Sequence, residues 1–241
     1  MDKNNIMLNP KIFEKQLIIW LRKKLTSSKK KGIVIGLSGG IDSAVVAVLC
    51  KKAIGGKRLL CLILPCESMN RDILDAEKVA KKFSLTTKTI ELTSIYKNLV
   101  KIFPKANKLA YANLKPRLRM LTLYFFANKL NYIVVGTGNK SELSIGYFTK
   151  HGDGASDILP IGNLYKSEVC HLAQYLGIPE EIIKKPPTAG LWPEQTDEGE
   201  IGMTYDELEK RLRTGTFTKK LKTYTENAVH KLSRPEIFIC K

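Results

Sequence analysis

Residues 32–43 read Gly-Ile-Val-Ile-Gly-Leu-Ser-Gly-Gly-Ile-Asp-Ser, so that an apolar run leads into a glycine pair and then an acidic residue. The run Ile33–Leu37 is nearly all aliphatic, which is typical of a strand covered on both faces of a parallel sheet. Ser38 and the glycine pair allow several backbone N–H groups to face one point, and a helix-compatible segment follows from Asp42. Backbone amides beside a helix N-terminus bind phosphate. The stretch therefore predicts a strand, an anion-binding loop and a helix.

The loop differs from the commonest phosphate-binding loops, because it has neither a G-K-[ST] ending nor a G-x-G-x-x-G pattern. Asp42 would repel phosphate unless a divalent cation stood between them, so this residue predicts Mg²⁺. The pattern S-G-G-x-D-S resembles the loop of the ATP pyrophosphatases, which cleave ATP between the α and β phosphates. An ordinary glycine-rich turn between strand and helix is the structural alternative.

The composition is that of a folded protein with anionic partners. Of the 241 residues, 40 are Lys or Arg and 23 are Asp or Glu, a net charge of +17. Nucleotides, nucleic acid and membrane surfaces are all compatible with such a charge, and a lysine-rich proteome is the alternative explanation. The length is sufficient for one large α/β domain over 1–241. Within it we expect an N-terminal helix in 1–31, a parallel-sheet core in 32–145, and a substrate loop with C-terminal helices in 146–241.

The cysteines indicate a reducing compartment, since the five of them are odd in number and never spaced as C-x-x-C. Cys50, Cys61 and Cys170 lie in apolar runs and are expected to be buried. No apolar stretch reaches the roughly 18 residues that a membrane span needs, and the first five residues lack the apolar core of a signal peptide. We therefore expect a cytoplasmic protein that does not act at membranes.

Strands and helices alternate through the first 145 residues. Apolar spacing predicts helices over 11–25, 44–53, 71–83, 94–103 and 113–130, and strands over 33–37, 58–65, 86–92 and 132–136. In the first helix, Glu14 is assigned to the polar side, and Pro116 fits the first turn of the last one. Beyond residue 145 we expect no further alternation, but helices near 165–176, 179–185, 204–213 and 218–232. This order predicts a doubly wound parallel sheet with a helical C-terminal region.

A second polar cluster follows the predicted fourth strand, over residues 136–168. Ligands of such sheets lie at the carboxyl ends of the strands, so this cluster and Asp42 are expected on one edge. Glu142 is expected to begin a short helix there and to share Mg²⁺ with Asp42, with a plain first-turn helix acid as the alternative. His151 and His171 lack matching metal ligands and are interpreted as surface or core residues.

The sequence also resembles ammonia-dependent NAD⁺ synthetases over roughly residues 11–235. The motifs that carry the resemblance are Gly-Thr-Gly-Asn-Lys-Ser-Glu (136–142), Gly-Tyr-Phe-Thr-Lys-His-Gly-Asp (146–153), Lys-Pro-Pro-Thr-Ala-Gly-Leu-Trp (185–192), Gln-Thr-Asp-Glu (195–198) and His-Lys (230–231). It implies a Rossmann-like fold of the adenine nucleotide alpha hydrolase type. It also implies that ATP activates the carboxylate of deamido-NAD⁺ and that ammonia displaces AMP from the acyl adenylate.

The resemblance assigns roles to individual residues. ATP would contact Gly36, Leu37, Ser38, Gly39, Gly40, Ile41, Asp42, Ser43, Thr137, Lys166 and Thr188. Deamido-NAD⁺ would contact Asn113, Arg117, Lys150, Asp157, His230 and Lys231. Mg²⁺ would be held by Asp42 and Glu142, and the family is homodimeric. Lysine charges and an arginine fork suit phosphate groups, which agrees with these roles.

Catalysis is expected to depend on placement and charge neutralisation, with Lys166 and the loop amides holding the leaving pyrophosphate. Asp153, in a Gly-Asp-Gly turn, is the candidate for holding or deprotonating ammonium. About thirty residues precede the loop, too few for a glutamine amidotransferase domain, so free ammonia is the expected nitrogen source. The alternatives are a tRNA-modifying adenylating enzyme and a non-catalytic nucleotide sensor. No catalytic cysteines or RNA-binding domain are evident, so we expect no nucleic-acid partner.

Overall fold

The computed structural model describes residues 9–192 and 194–238. The first eight residues and Cys240 lie outside this part of the chain, as do the expectations that depend on them. The helices are α1 (Pro10–Ser27), α2 (Ile41–Ile54), α3 (Asn70–Lys82), α4 (Thr93–Ile102), α5 (Lys108–Ala112), α6 (Leu114–Leu130), α7 (Lys140–Ile145), α8 (Lys166–Leu176), α9 (Glu180–Ile183), α10 (Asp197–Ile201), α11 (Tyr205–Thr214) and α12 (Lys219–Leu232). A 3₁₀ turn, Gly56–Arg58, follows α2.

The strands form one parallel sheet, as the sequence predicts. They are β1 (Gly32–Gly36), β2 (Leu59–Ile63), β3 (Thr87–Thr89) and β4 (Tyr132–Val135), in the order β3-β2-β1-β4. The chain therefore moves outward from β1 to β3 and then returns to the other side of β1. The carboxyl ends of β1 and β4 meet at this reversal, which is where doubly wound sheets bind ligands.

Helices cover both faces of the sheet, which explains why the first four residues of β1 are buried. Ile33 and Ile35 pack in a core with α1, α2, α3 and α8, whereas Val34 packs in a second core with α4 and α6. This alternation places successive side chains of β1 on opposite faces. The fold is thus an α/β sandwich of helices around a parallel sheet.

One residue of α1 differs from its predicted environment. Glu14, expected on the polar side, is only 9% exposed. Its carboxylate accepts hydrogen bonds from Lys52 Nζ at 2.6 Å and from the Tyr175 hydroxyl at 2.8 Å. The helical periodicity of α1 predicted an exposed Glu14. This prediction was wrong because α2 and α8 bring the polar partners Lys52 and Tyr175 to that side of α1.

Several element boundaries also differ from the predictions. The edge strand β3 is three residues long rather than seven, and α7 begins at Lys140, two residues before Glu142. The short helices α5 and α10 were not predicted, since helices of five residues carry too little periodicity. Cys170 is half-buried rather than buried, whereas Cys66 is buried.

In the described part of the chain no further strand follows β4, as the sequence analysis expected for the residues beyond 145. Ile158 forms an isolated parallel bridge with Val135, and α8 follows it. The C-terminal helices then add a third apolar cluster, in which Leu208 and Leu221 pack against Ile145 of α7. No helix in the described part of the chain is long and apolar enough to cross a membrane.

Candidate active site

The loop after β1 is closed by hydroxyl groups. The Ser43 hydroxyl donates to Gly40 O at 2.9 Å and accepts from the backbone N–H of Ser38 at 3.2 Å. The Ser38 hydroxyl lies 3.0 Å from that of Ser43. These contacts hold the turn that precedes the first residue of α2, as expected of an anion-binding loop at a helix start.

Gly39 occupies the tightest position of this loop. Its φ is +81°, and a Cβ atom at this residue would lie 2.2 Å from the backbone oxygen of Asp72. The first turn of α3 therefore lies directly against the loop. Only glycine satisfies both the backbone conformation and the contact.

The second carboxylate of the site is fixed by a capping box at the start of α7. The Asn139 side chain accepts from Glu142 N at 3.0 Å, and Glu142 Oε2 accepts from Asn139 N at 3.1 Å. The same Asn139 side chain donates from Nδ2 to Asp42 Oδ1 at 3.0 Å. Asn139 thus ties together the two predicted metal ligands.

Lys166 joins both carboxylates to the first turn of α8. Its Nζ lies 2.5 Å from Asp42 Oδ2 and 3.9 Å from Glu142 Oε1, and its side chain is 7% exposed. The geometry therefore brings the predicted ATP-binding lysine and the predicted metal pair to one point. A cation already lies between the two carboxylates in this arrangement.

Burial and charge change the proton affinities of this group. Burial, followed by the negative charge of Asp42, raises the pKa of Glu142 to about 8, while Lys166 opposes the shift. Burial lowers the pKa of Lys166, but Asp42 and Glu142 outweigh it and raise that pKa above its ordinary value. The lysine is therefore a permanent positive charge, and the site favours additional positive charge beside Glu142.

A buried glutamate that the sequence analysis missed supports the start of α8. Glu209 of α11 is 5% exposed and accepts from the hydroxyl groups of Ser141 at 3.1 Å and Ser167 at 2.5 Å. Ser141 in turn accepts from the backbone N–H of Lys166 at 3.1 Å. No local pattern indicated this role, because Glu209 lies on the amphipathic helix α11 and reads as a surface residue.

A cavity of about 800 Å³ opens at this edge of the sheet. All the predicted site residues line it except Gly39 and Asp157. Gly39 is turned toward Asp72, as described above. Within residues 9–192 and 194–238, no three His, Cys, Asp or Glu side chains form a group that could hold a metal ion.

The predicted dinucleotide-binding lysines hold the segment 146–154 against α12. Lys231 Nζ donates to Gly146 O at 2.6 Å and to Phe148 O at 2.9 Å, and Lys150 Nζ donates to His230 O at 2.6 Å. Arg117 is exposed, and it donates to Lys150 O at 3.5 Å. These contacts collect the cationic residues on one wall of the cavity.

Asp153 lies in the same segment. Its Oδ1 accepts from Thr149 N at 2.9 Å, and Thr149 donates its hydroxyl to Asn113 Oδ1 at 2.6 Å. The residue as a whole is exposed, but crowding around its carboxyl group raises the pKa of Asp153, against the opposing effect of the Thr149 N–H.

Asp157 is not brought to the cavity with the other predicted site residues. Its Oδ2 accepts from Val134 N at 2.7 Å, and its Oδ1 accepts from the Tyr124 hydroxyl at 3.3 Å. It lines a separate cavity of about 310 Å³ beside α6. The sequence could not distinguish the environments of Asp153 and Asp157, because both lie in the same polar segment after β4.

A further carboxylate lies near Lys166 without having been assigned from the sequence. Asp197 is 4% exposed, and its Oδ2 accepts from the Tyr205 hydroxyl at 2.9 Å. Among the described residues, its Oδ1 has no hydrogen-bond partner. Burial raises the pKa of Asp197, while Lys166 opposes the shift.

Comparisons with known proteins place this site in a family. A model of NAD synthase matches residues 13–237. The chain belongs to the NAD synthase family. An NH(3)-dependent NAD(+) synthetase of Carboxydothermus hydrogenoformans is 49% identical over 231 residues, which cover 92% of this chain and 95% of that protein.

Solved structures of this family share the fold. An NMN synthetase from Francisella tularensis has a TM-score of 0.89 and 38% identity, covering 95% of this chain and 98% of that one. An NH3-dependent NAD synthetase from Campylobacter jejuni has a TM-score of 0.82 and 33% identity, covering 96% of this chain and 100% of that one. The resemblance and the fold class drawn from the sequence are confirmed.

Proposed function

We propose that the protein amidates deamido-NAD⁺ with ammonia, consuming ATP and releasing AMP and pyrophosphate through an acyl adenylate. The observation that carries the proposal is the convergence of Lys166, Asp42 and Glu142 beside the loop after β1. Relatives named as NH(3)-dependent NAD(+) synthetases support the same reaction. They do not favour the alternatives of tRNA adenylation or a non-catalytic sensor.

ATP would lie along residues 36–43, with Thr137, Lys166 and Thr188 as further contacts. The loop amides and the Lys166 ammonium would bind the leaving pyrophosphate. Because these donors are held in place before the reaction, they need little reorganisation as negative charge develops. The substrate carboxylate is itself the nucleophile of the first step, so no strong base is required there.

Asp42 and Glu142 fit a Mg²⁺ ion, which ordinarily takes one or two carboxylates together with phosphate oxygens and water. Burial, and then the charge of Asp42, raise the pKa of Glu142, and a cation bound beside it would favour its charged form. Bound there, Mg²⁺ would neutralise charge on the phosphates.

The dinucleotide would contact the cavity wall formed by Arg117, Lys150, His230 and Lys231, with Asn113 beside it. Asp157 does not line this cavity.

In a homodimer, Asp157 could contact the dinucleotide bound by the partner. An exposed apolar pair on α6, Leu121 and Phe125, four residues apart, offers a surface for such an assembly. Sedimentation equilibrium tests this assembly, and a monomer at micromolar concentration would contradict the proposed dimer.

A cytoplasmic location is also proposed, and the four free cysteines in the described residues agree with it.

Asp153 would hold ammonium and take its proton during attack on the adenylate. Asp153→Asn keeps the oxygen that accepts from Thr149 N but removes the charge. We expect amide formation to fall about 100-fold. Adenylate formation, followed by exchange of labelled pyrophosphate into ATP, should stay near wild type. Unchanged rates of both steps would exclude this role.

One assay tests the reaction as a whole. The protein is incubated with ATP, Mg²⁺, ammonium and deamido-NAD⁺, and NAD⁺, AMP and pyrophosphate should appear in equal amounts. Formation of ADP would contradict the proposal. Because one structural relative is an NMN synthetase, nicotinic acid mononucleotide is supplied in competition. Preferential formation of the mononucleotide amide would show that the substrate assignment is wrong, while the proposed type of reaction, ATP-dependent amidation, would stand.

A further inference from the structure

A second lysine, Lys185, contacts two carboxylates next to the anion-binding loop. Lys185 Nζ lies 2.6 Å from Asp72 Oδ1 and 2.6 Å from Asp75 Oδ2, and its side chain is 10% exposed. The two aspartate side chains are 17% and 12% exposed. More than 100 positions separate Lys185 from α3 in the sequence, so this contact joins two distant segments.

The same segment is held at its other end by Lys115. Lys115 Nζ donates to Leu191 O at 2.9 Å and lies 3.0 Å from Glu67 Oε2. Both ends of residues 185–191 are therefore tied, through a lysine side chain, to carboxylates of residues 67–75.

The contact at Lys185 continues to the phosphate loop. Asp72, whose carboxylate holds Lys185, is the residue whose backbone oxygen lies against Gly39. On the other side, Pro186 and Pro187 separate Lys185 from Thr188. The prolines fix two φ angles, which restricts how far Thr188 can move relative to Lys185.

The charges of Asp72 and Asp75 argue against direct binding of phosphate by Lys185. One ammonium shared by two carboxylates leaves the group with one negative charge, which repels phosphate; unlike the group around Lys166, it has no proposed metal ion to offset that charge. We propose that Lys185 is a positioning residue that acts through Asp72 and Asp75, fixes Thr188 beside the loop, and thereby sets the affinity for ATP. The inference rests on the proposed ATP site.

The experiment measures ATP binding by calorimetry and amide hydrogen exchange of residues 185–191 without nucleotide. Lys185→Met should weaken ATP binding by at least about tenfold, because small displacements of a contact residue carry large costs. Exchange in residues 185–191 should become faster. Lys185→Arg should restore much of the affinity. Lys184→Met is the matched control, since the neighbouring Lys184 side chain is 73% exposed, and it should bind ATP as the wild type does.

The combined variant Asp72→Asn/Asp75→Asn separates positioning from direct contact. Positioning predicts weaker ATP binding in this variant too, and no further loss when Lys185→Met is added, since all three changes break one contact. Unchanged or tighter binding in the aspartate variant would instead mean that Lys185 touches phosphate, which overturns the inference. A lower melting temperature with unchanged ATP affinity also overturns it. Failure of the wild type to bind ATP would remove the proposed function itself.

Discussion

Lys166 Nζ lies 2.5 Å from Asp42 Oδ2, although 124 positions separate the two residues. The pair joins the first turn of α2 to the first turn of α8, and Glu142 Oε1 lies 3.9 Å from the same ammonium group. One lysine therefore offsets two carboxylates in a crowded part of the cavity. Each member of this group should be sensitive to replacement in a distinct way.

Replacing Lys166 with methionine should lower kcat/KM for NAD⁺ formation by at least about 100-fold, because a fixed positive charge at the reacting phosphates is lost. The change also leaves Asp42 without its cation, so the melting temperature should fall. Steady-state kinetics and thermal unfolding measure the two effects. Lys129→Met, an exposed change on α6, is the control. Activity within threefold of wild type would contradict the proposed role of Lys166.

Replacing either metal ligand should change the Mg²⁺ requirement. For Asp42→Asn and Glu142→Gln, we expect the Mg²⁺ concentration that gives half-maximal activity to rise by tenfold or more, because each variant loses one anionic ligand. Titration of activity with Mg²⁺ at fixed ATP tests this. Glu77→Gln, at an exposed position of α3, should leave the requirement unchanged. An unchanged requirement in both site variants would place the metal elsewhere.

Two glycines with similar positive φ angles separate backbone strain from steric contact. Gly39→Ala introduces a Cβ atom 2.2 Å from Asp72 O at φ +81°, whereas Gly55→Ala, at φ +78°, meets no atom within 4 Å. Both should lose about 1 kcal/mol or more of stability, because an alanine is strained at a positive φ angle. Only Gly39→Ala should also weaken ATP binding, since α3 or the loop must move. Equal ATP affinities of the two variants would show that the Asp72 contact is unimportant.

The contacts of Glu14 predict a dependence of stability on pH. Burial raises the pKa of Glu14, but the hydrogen bonds from Lys52 and Tyr175 outweigh it, so that the folded-state pKa lies below the ordinary 4.5. A depressed pKa stabilises the fold at pH values above the unfolded-state pKa, and this contribution is lost as the pH falls through the folded-state pKa.

Glu14→Gln should therefore lower the free energy of unfolding by about 1 kcal/mol at pH 7. The difference from wild type should shrink below pH 4.5. Urea unfolding at several pH values measures it, with Glu226→Gln at an exposed position of α12 as the control. A difference that grows on acidification would contradict the assignment.

The residues show which parts of this architecture were predictable. The aliphatic run of β1, the glycine pair after it and the spacing of α6 are local patterns, and each predicted the right element at nearly the right place. The short helices α5 and α10 and the bridge at Ile158 were missed, because a few residues carry no periodicity. The arrangement of the whole chain as one domain stays a prediction.

The sequence by itself determined the strands, the phosphate loop and the set of polar residues that follows β4, because turn chemistry and hydrophobic periodicity are encoded by neighbouring residues. Only the tertiary structure decided which of these side chains meet. It paired Lys166 with Asp42 and Lys185 with Asp72, buried Glu14, and turned Asp157 away from the cavity. Such pairs depend on which helix packs beside which strand, and that choice depends on contacts across the whole core rather than on any local segment.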